Sequence, residues 1–270
     1  MEKVEERLYG LIGKSLPHSF SPSYFAEKFA KQGIQHTRYQ KWELPEIGGI
    51  SELLLASPEI KGFNVTIPYK QEILPFLDAI DPVAREIGAV NTVLVEVVDR
   101  RDGQKILGRR LTGFNTDAYG FRDSLKPLLK AGVERALVLG TGGSSKAVCY
   151  VLRRLGLGVL LVSRNPQGAS QIGWEHVNEY VMRHHLLIVN TTPLGQYPAI
   201  AERPALLYSH LGPSHILYDL IYNPSETQFL KEGISRGAQV QNGYNMLCLQ
   251  AEYSWEIWQK GAGFSFRGLP

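Results

Sequence analysis

The sequence predicts an α/β fold, and three observations carry that reading. Short strand-like apolar runs alternate with helical runs along the whole 270 residues, the pattern of an α/β chain. In the second half those runs are continuously apolar rather than alternating, as parallel strands covered on both faces require. The length exceeds what one ordinary core needs, so one large or two modest domains are expected.

In the first half, Leu8–Gly13, Thr37–Glu43, Gly62–Ile67, Ala89–Val97 and Lys105–Leu111 read as strands. Ser21–Gln32, Ile47–Ser57, Pro68–Leu74 and Pro82–Ile87 read as helices. Ser21 before Pro22, and Asp81 before Pro82, place a capping side chain ahead of a proline at the first helical position. Pro68 can open a helix in the same way, and Pro75 stops or kinks it. Asn115–Lys130 reads as a helix joining two domains. Beyond it, Ala136–Leu139, Val159–Val162, Leu186–Asn190, Ile216–Ile221 and Gln239–Gln241 are the runs expected as parallel strands, all but the last of them largely apolar. The last stretch is amphipathic, with Met246, Leu249, Tyr253 and Ile257 at helical spacing. It is expected to pack back onto the first domain. The domain reading is therefore 1–114, completed by 242–270, and 115–241.

Composition excludes several classes. The chain is 44% hydrophobic and 20% charged, the balance of a soluble globular protein. A net charge of +3 suits a small anionic ligand and falls short of a nucleic-acid footprint. The N-terminus runs from charges straight into a strand pattern, unlike a secretory signal. No apolar stretch reaches the roughly 18–20 residues of a membrane span. Two cysteines, Cys149 and Cys248, suit a reduced compartment, so a cytoplasmic protein is expected. The seven histidines and two cysteines lack metal-ligand spacing, and no metal is expected.

Ala136-Leu-Val-Leu-Gly140-Thr-Gly142-Gly143-Ser-Ser-Lys-Ala147 joins a strand, a glycine-rich turn and a helix. Glycines let the backbone approach a pyrophosphate, and the helix start offers unpaired N–H groups with partial positive charge. The next strand ends in Ser163-Arg164. An arginine there suits the 2′-phosphate of NADP, where an NAD enzyme usually has an acidic residue; a solvated surface arginine is the alternative.

The first half carries polar clusters that a core does not need. Extended backbone at His18-Ser-Phe-Ser-Pro22 puts Ser19 and Ser21 on one face, able to donate to a carboxylate; helix capping explains Ser21 equally well. Thr66 and Asn64 share a strand face, and Lys70 falls in the first turn of the expected helix, against the helix dipole. Asn91 lies in Gly88-Ala-Val-Asn-Thr92. Asp117 follows Gly113-Phe-Asn-Thr, where it either caps a helix or serves a site. Every cluster falls at a strand end or helix start, where pockets form.

These segments in this order resemble the shikimate dehydrogenase family: Gly10-Leu-Ile-Gly13 with His18-Ser-Phe-Ser-Pro22, Asn64-Val-Thr-Ile-Pro-Tyr-Lys70, Gly88-Ala-Val-Asn-Thr92, Gly113-Phe-Asn-Thr-Asp117 and Gly140-Thr-Gly-Gly143. The likeness continues through Asn190-Thr-Thr-Pro-Leu-Gly195, Tyr218-Asp-Leu-Ile-Tyr-Asn-Pro224 and Asn242-Gly-Tyr-Asn-Met246 with Gln250. It implies a substrate domain and a Rossmann-type domain with the active site in the cleft between them. It implies a substrate site of Ser19, Ser21, Thr66, Lys70, Asn91, Asp117, Tyr222 and Gln250. In that site the serines hold the carboxylate, with Lys70 and Asp117 at the reacting oxygen. It implies NADP on Gly140, Thr141, Gly142, Gly143, Ser144, Ser145, Ser163, Arg164, Thr191, Thr192, Pro193, Leu220, Gly243 and Met246. Two features depart from the family pattern: Gln196 stands where methionine is common, and the stretch from Arg164 to Leu186 is short.

The implied reaction is reversible reduction of 3-dehydroshikimate to shikimate by a monomer or homodimer. Lys70 is the general acid and Asp117 its orienting partner. Quinate or an aminated relative as substrate, NAD in place of NADP, and a catalytically silent dinucleotide sensor are the alternatives.

Overall fold

The computed structural model describes residues 6–17, 19–101, 105–261 and 264, the side chains of 99–101 and 105–107 excepted. The chain divides into two compact units. One runs up to Thr116 and resumes at Ala251; the other is Asp117–Gln250.

The first unit contains β1 (Arg7–Gly13), α1 (Phe20–Lys31), β2 (Thr37–Glu43), α2 (Ile50–Ala56), β3 (Ile60–Val65), β4 (Ala79–Ile80), α3 (Pro82–Ile87), β5 (Thr92–Arg101) and β6 (Lys105–Phe114). They form a mixed sheet in the order β2-β1-β3-β5-β6-β4. β1 pairs parallel with β2 and β3, whereas β5 runs antiparallel to β3 and β6. Ile12, Phe63, Ile73, Val90 and Val93 belong to one buried cluster. A second, aromatic cluster joins Tyr9 and Phe25 to Trp255 and Trp258 of the last helix. Trp258 stacks on Tyr9 at 4.7 Å and donates its indole N–H to the Val93 carbonyl at 3.0 Å. An amphipathic ring with one polar edge thus ties the end of the chain to the first sheet.

Local signals place most of these elements. Asp81 caps α3 as expected, its carboxylate accepting from Val83 N–H at 3.0 Å. Two expectations fail. α1 begins at Phe20 with Ser19 at the cap position, so Ser21 lies inside the first turn. Pro22 tolerates that shift, because first-turn N–H groups have no partner within the helix. The helix expected at Pro68–Leu74 does not form: residues 67–73 are successive turns, followed by a 3₁₀ turn at Leu74–Phe76. The Lys70 carbonyl, which a helix would offer to Leu74, accepts instead from Val90 N–H at 2.8 Å. A neighbouring segment has outcompeted the local ladder.

The second unit contains α4 (Thr116–Leu125, whose first residue counts with the first unit), β7 (Arg135–Leu139), α5 (Gly143–Arg154), β8 (Gly158–Val162), β9 (Gln171–Ile172), α6 (Glu179–His184), β10 (Leu187–Asn190), β11 (Ile216–Asp219), α7 (Gln228–Ile234) and β12 (Gln239–Gln241). α8 (Tyr244–Lys260) begins here and ends in the first unit. The strand order is β12-β11-β10-β7-β8-β9, with every pairing parallel. Counted from β7 this is the doubly wound order of a Rossmann-type sheet, with its switch point between β7 and β10. The short segment after Arg164 has a structural counterpart: β8 passes to a two-residue β9 without an intervening helix. Among the described residues no helix is long and apolar enough to cross a membrane.

One carboxyl is wholly buried in this sheet. Asp219 ends β11 with no exposed surface. Burial pushes it up to about 6, against the pull of hydrogen bonds from Thr227, Ile221 and Asn190. A carboxyl that binds its proton more tightly when folded favours the fold below pH about 4, and that contribution is lost as pH rises through about 6. Asp219→Asn removes the term. The variant's stability relative to the parent should therefore be greater at pH 8 than at pH 4, by up to about 3 kcal/mol. Urea unfolding at both pH values measures it, and an unchanged difference would contradict the assigned shift.

Candidate active site

In the first unit the polar residues meet where β1, β3 and β6 end and β5 begins. Thr66 donates its N–H to Ile12 O at 2.9 Å, and Val65 N–H donates to Asn91 O at 2.9 Å. With Val90 bonded to Lys70, these contacts bring Thr66, Lys70 and Asn91 to one edge of the sheet. Lys70 and Thr66 are half-buried, and Asn91 is buried. Because Lys70 stands in a turn, the dipole argument made for it from the sequence does not apply.

Beneath that edge lies a buried polar network that sequence reasoning missed. Asn64 accepts from the Tyr39 hydroxyl at 2.8 Å and donates to Thr92 Oγ1 at 3.0 Å and Ser254 Oγ at 2.9 Å. The Asn91 Oδ1 accepts from Thr116 N–H at 2.7 Å, and its Nδ2 donates to Thr116 Oγ1 at 2.9 Å. Thr92, Thr116 and Ser254 lie within 3.2 Å of one another through their hydroxyls. Burial holds the Tyr39 phenol well above its usual range, with Ser21 as a further hydrogen-bonding neighbour. Neutral side chains that both donate and accept can close such a network without leaving a buried group unpaired. Ser21 joins its margin, whereas Ser19 is half-buried and its hydroxyl reaches Leu16 O at 3.3 Å. The two serines do not share an extended strand face, since helical backbone begins between them.

In the second unit, Asp117 is buried in the first turn of α4, where a carboxylate is favoured by the helix dipole. Gly120, one turn on, is where α8 presses against α4: a Cβ there would sit 2.6 Å from Met246 O and 3.0 Å from Gln250 N. Positions three apart share a helix face, so Met246 and Gln250 are brought to the Asp117 side of α4. The Gln250 amide donates to Leu247 O at 3.0 Å. Tyr222 is half-buried just after β11, and burial raises its phenol.

The residues expected to hold a dinucleotide sit on loops at the ends of parallel strands. Gly140 follows β7 at φ +101°, a conformation that favours glycine, and its N–H donates to Val162 O at 2.9 Å. α5 starts at Gly143 with Gly142 as its cap residue, no side chain closing its N-terminus, and open space where a Gly142 side chain would stand. A twelve-residue helix with a glycine cap and free space before it fits a pyrophosphate. Thr141 is exposed and Ser144 half-buried, whereas Ser145 is buried and donates to Gly142 O at 2.6 Å, so its hydroxyl braces the turn. Across the switch point, Thr191 donates its N–H to Leu139 O at 3.0 Å and its hydroxyl to the same oxygen at 2.6 Å. Thr192 is half-buried and Pro193 exposed beside it. Ser163 Oγ accepts from Asn165 N–H at 3.1 Å, turning the chain so that Arg164 projects exposed after β8. Gly243 donates to Ile221 O at 3.0 Å, seating the start of α8 on the Leu220–Ile221 loop.

Residues 11–93 match the family model described as the shikimate dehydrogenase substrate binding domain. The chain is 35% identical over 268 residues to the shikimate dehydrogenase (NADP(+)) of Geobacillus kaustophilus, covering 94% of this chain and 92% of that one. The solved shikimate 5-dehydrogenase of Thermus thermophilus, in complex with NADP(H) and shikimate, superposes with a TM-score of 0.79 at 32% identity over 94% of each chain. Quinate dehydrogenase from Corynebacterium glutamicum, in complex with NAD, gives 0.80 at 27% identity over 95% of this chain and 94% of that one. With likeness running through nearly the whole of each chain, the protein belongs to the shikimate dehydrogenase family.

Proposed function

We propose that the protein is an NADP-dependent shikimate dehydrogenase, reducing 3-dehydroshikimate reversibly to shikimate in the cytoplasm. The observation that carries this reading is the uncapped glycine turn opening α5 at the switch point of an all-parallel sheet. It occurs in a chain whose relatives over nearly full length are NADP(+) enzymes.

The first unit takes the substrate through Ser19, Ser21, Thr66, Lys70 and Asn91, and the loops of the second take the dinucleotide. The serine hydroxyls donate to the substrate carboxylate, while Thr66, Asn91, Tyr222 and Gln250 bind the ring's polar groups. Gly140–Ser145 with Thr191, Thr192 and Pro193 cradle the pyrophosphate side. Arg164 pairs with the 2′-phosphate, and Ser163, Leu220, Gly243 and Met246 complete the contact. When bound, the nicotinamide supplies the hydride that reduces the ring ketone. Lys70 gives a proton to the new hydroxyl oxygen and takes it back in the reverse oxidation. Asp117 accepts a hydrogen bond from a ring hydroxyl.

The likeness to a quinate dehydrogenase, and the lack of a second Lys or Arg in residues 165–173, favour a second reading with relaxed substrate or cofactor use. Purified protein with shikimate or quinate, each with NADP⁺ or NAD⁺, separates the two readings by the absorbance of reduced cofactor. Fast reduction only with shikimate and NADP⁺ is expected. Comparable rates with quinate or NAD⁺ would establish the relaxed enzyme, and no reduction in any pairing would remove the dehydrogenase assignment. Lys70→Ala should lower kcat by about 10²–10⁴-fold with a small change in KM for shikimate; a raised KM at full turnover would take Lys70 out of the proton transfer. Arg164→Ala should weaken NADPH about tenfold or more while changing NADH little. Equal losses for both cofactors would show that Arg164 does not read the phosphate.

A further inference from the structure

We propose that the buried Asp219–Asn190 pair is a positioning device for the dinucleotide, setting the loops that follow β10 and β11. The inference rests on the cofactor reading above and adds residues to which that reading gives no role. Asp219 and Asn190 are register partners at the last positions of adjacent strands, and neither has exposed surface. An ionised carboxylate only accepts hydrogen bonds. Asp219 Oδ1 therefore takes the Asn190 amide N–H at 3.0 Å and the Ile221 N–H at 3.0 Å, and its Oδ2 takes the Thr227 hydroxyl at 2.6 Å.

That demand fixes which way the Asn190 amide faces. With Nδ2 committed to the carboxylate, Oδ1 turns outward and accepts from Thr192 N–H at 3.0 Å and from Thr192 Oγ1 at 2.7 Å. The turn through Thr191 and Thr192 is shaped by those two bonds. On the other strand, the bond to Ile221 N–H sets the Leu220–Ile221 loop, whose Ile221 carbonyl in turn receives Gly243 N–H at 3.0 Å. Thr192, Leu220 and Gly243, three residues assigned to the cofactor, thus trace to one carboxyl that has no exposed surface, while Thr191 beside them is held by Leu139 O. Asp219 is a positioning residue, with no contact to reacting atoms.

Its chemistry sets the design of the test. Asparagine at position 219 can still offer Oδ1 to Asn190 and Ile221, and its NH₂ can donate to the Thr227 oxygen. Alanine can do neither. NADP⁺ binding to the full-length protein is measured by calorimetry, and KM for NADP⁺ and for shikimate by steady-state kinetics. Asp219→Ala should weaken NADP⁺ about tenfold, the equivalent of one lost hydrogen bond, and raise KM for shikimate clearly less, since Tyr222 is the one substrate residue adjoining these loops. Asp219→Asn should restore NADP⁺ affinity to within about threefold of the parent. Equal losses toward both ligands, unchanged NADP⁺ affinity in Asp219→Ala, or failure of asparagine to rescue would each overturn the inference. Should Asp219→Ala not fold, Asn190→Asp sets a carboxylate against Asp219 at nearly constant volume; it should weaken NADP⁺ selectively, and an unchanged affinity counts against the pair. Parent protein that binds no NADP⁺ would overturn the cofactor reading itself, and the inference with it. Binding by the parent with no effect of the variants overturns only the inference.

Discussion

A strand that ends in a protein interior leaves polar backbone groups, and the first residues beyond it, without the ladder that satisfied them. Those groups must find partners, because an unpaired buried donor or acceptor costs about 1–3 kcal/mol. Both units of this protein are organised by how they meet that demand. In each, strands running parallel deliver several ends to one edge, so the demand is concentrated there. The residues that answer it lie on, or next to, the segments that carry the candidate site residues.

The two units answer it differently. The first uses neutral groups that can act in either sense: Asn64, Thr92, Thr116 and Ser254 donate and accept among themselves, and Asn91 is locked onto Thr116 at both ends of its amide. The second uses a carboxylate, which gives direction to everything bonded to it. Asp219 orients Asn190, and Asn190 orients Thr192. Ionising a carboxyl there is unfavourable, as its displacement up to about 6 records. What that cost secures is a fixed hydrogen-bond polarity across two adjacent loops. The glycine turn before α5 works by subtraction: no side chain closes the helix, and a side chain at Gly142 would meet only open space.

The strands and most helices were legible because their signals are local. Continuous apolar runs marked β7, β8, β10 and β11, and Asp81-Pro82 marked the start of α3 down to its capping bonds. The glycine loop was legible because strand, turn and helix follow one another directly in the chain. Asn190 and Asp219 stood in plain view, each a polar residue closing an apolar strand, but nothing along the chain says that β10 and β11 lie side by side in register. The same gap hid the network around Asn64, whose partners come from separate segments of the chain.

Residue order alone determined the fold class, the dinucleotide turn and the family likeness, because each rests on short-range pattern or on the succession of motifs. Tertiary structure decided the rest. It denied Pro68–Leu74 its helix by giving the Lys70 carbonyl to Val90, and it moved the cap of α1 from Ser21 to Ser19. It set Gln250 against the helix of Asp117 through the missing side chain of Gly120. A hydrogen bond between distant segments competes on equal terms with the local ladder, and only the assembled packing settles which partner a carbonyl, an amide or a buried carboxyl receives.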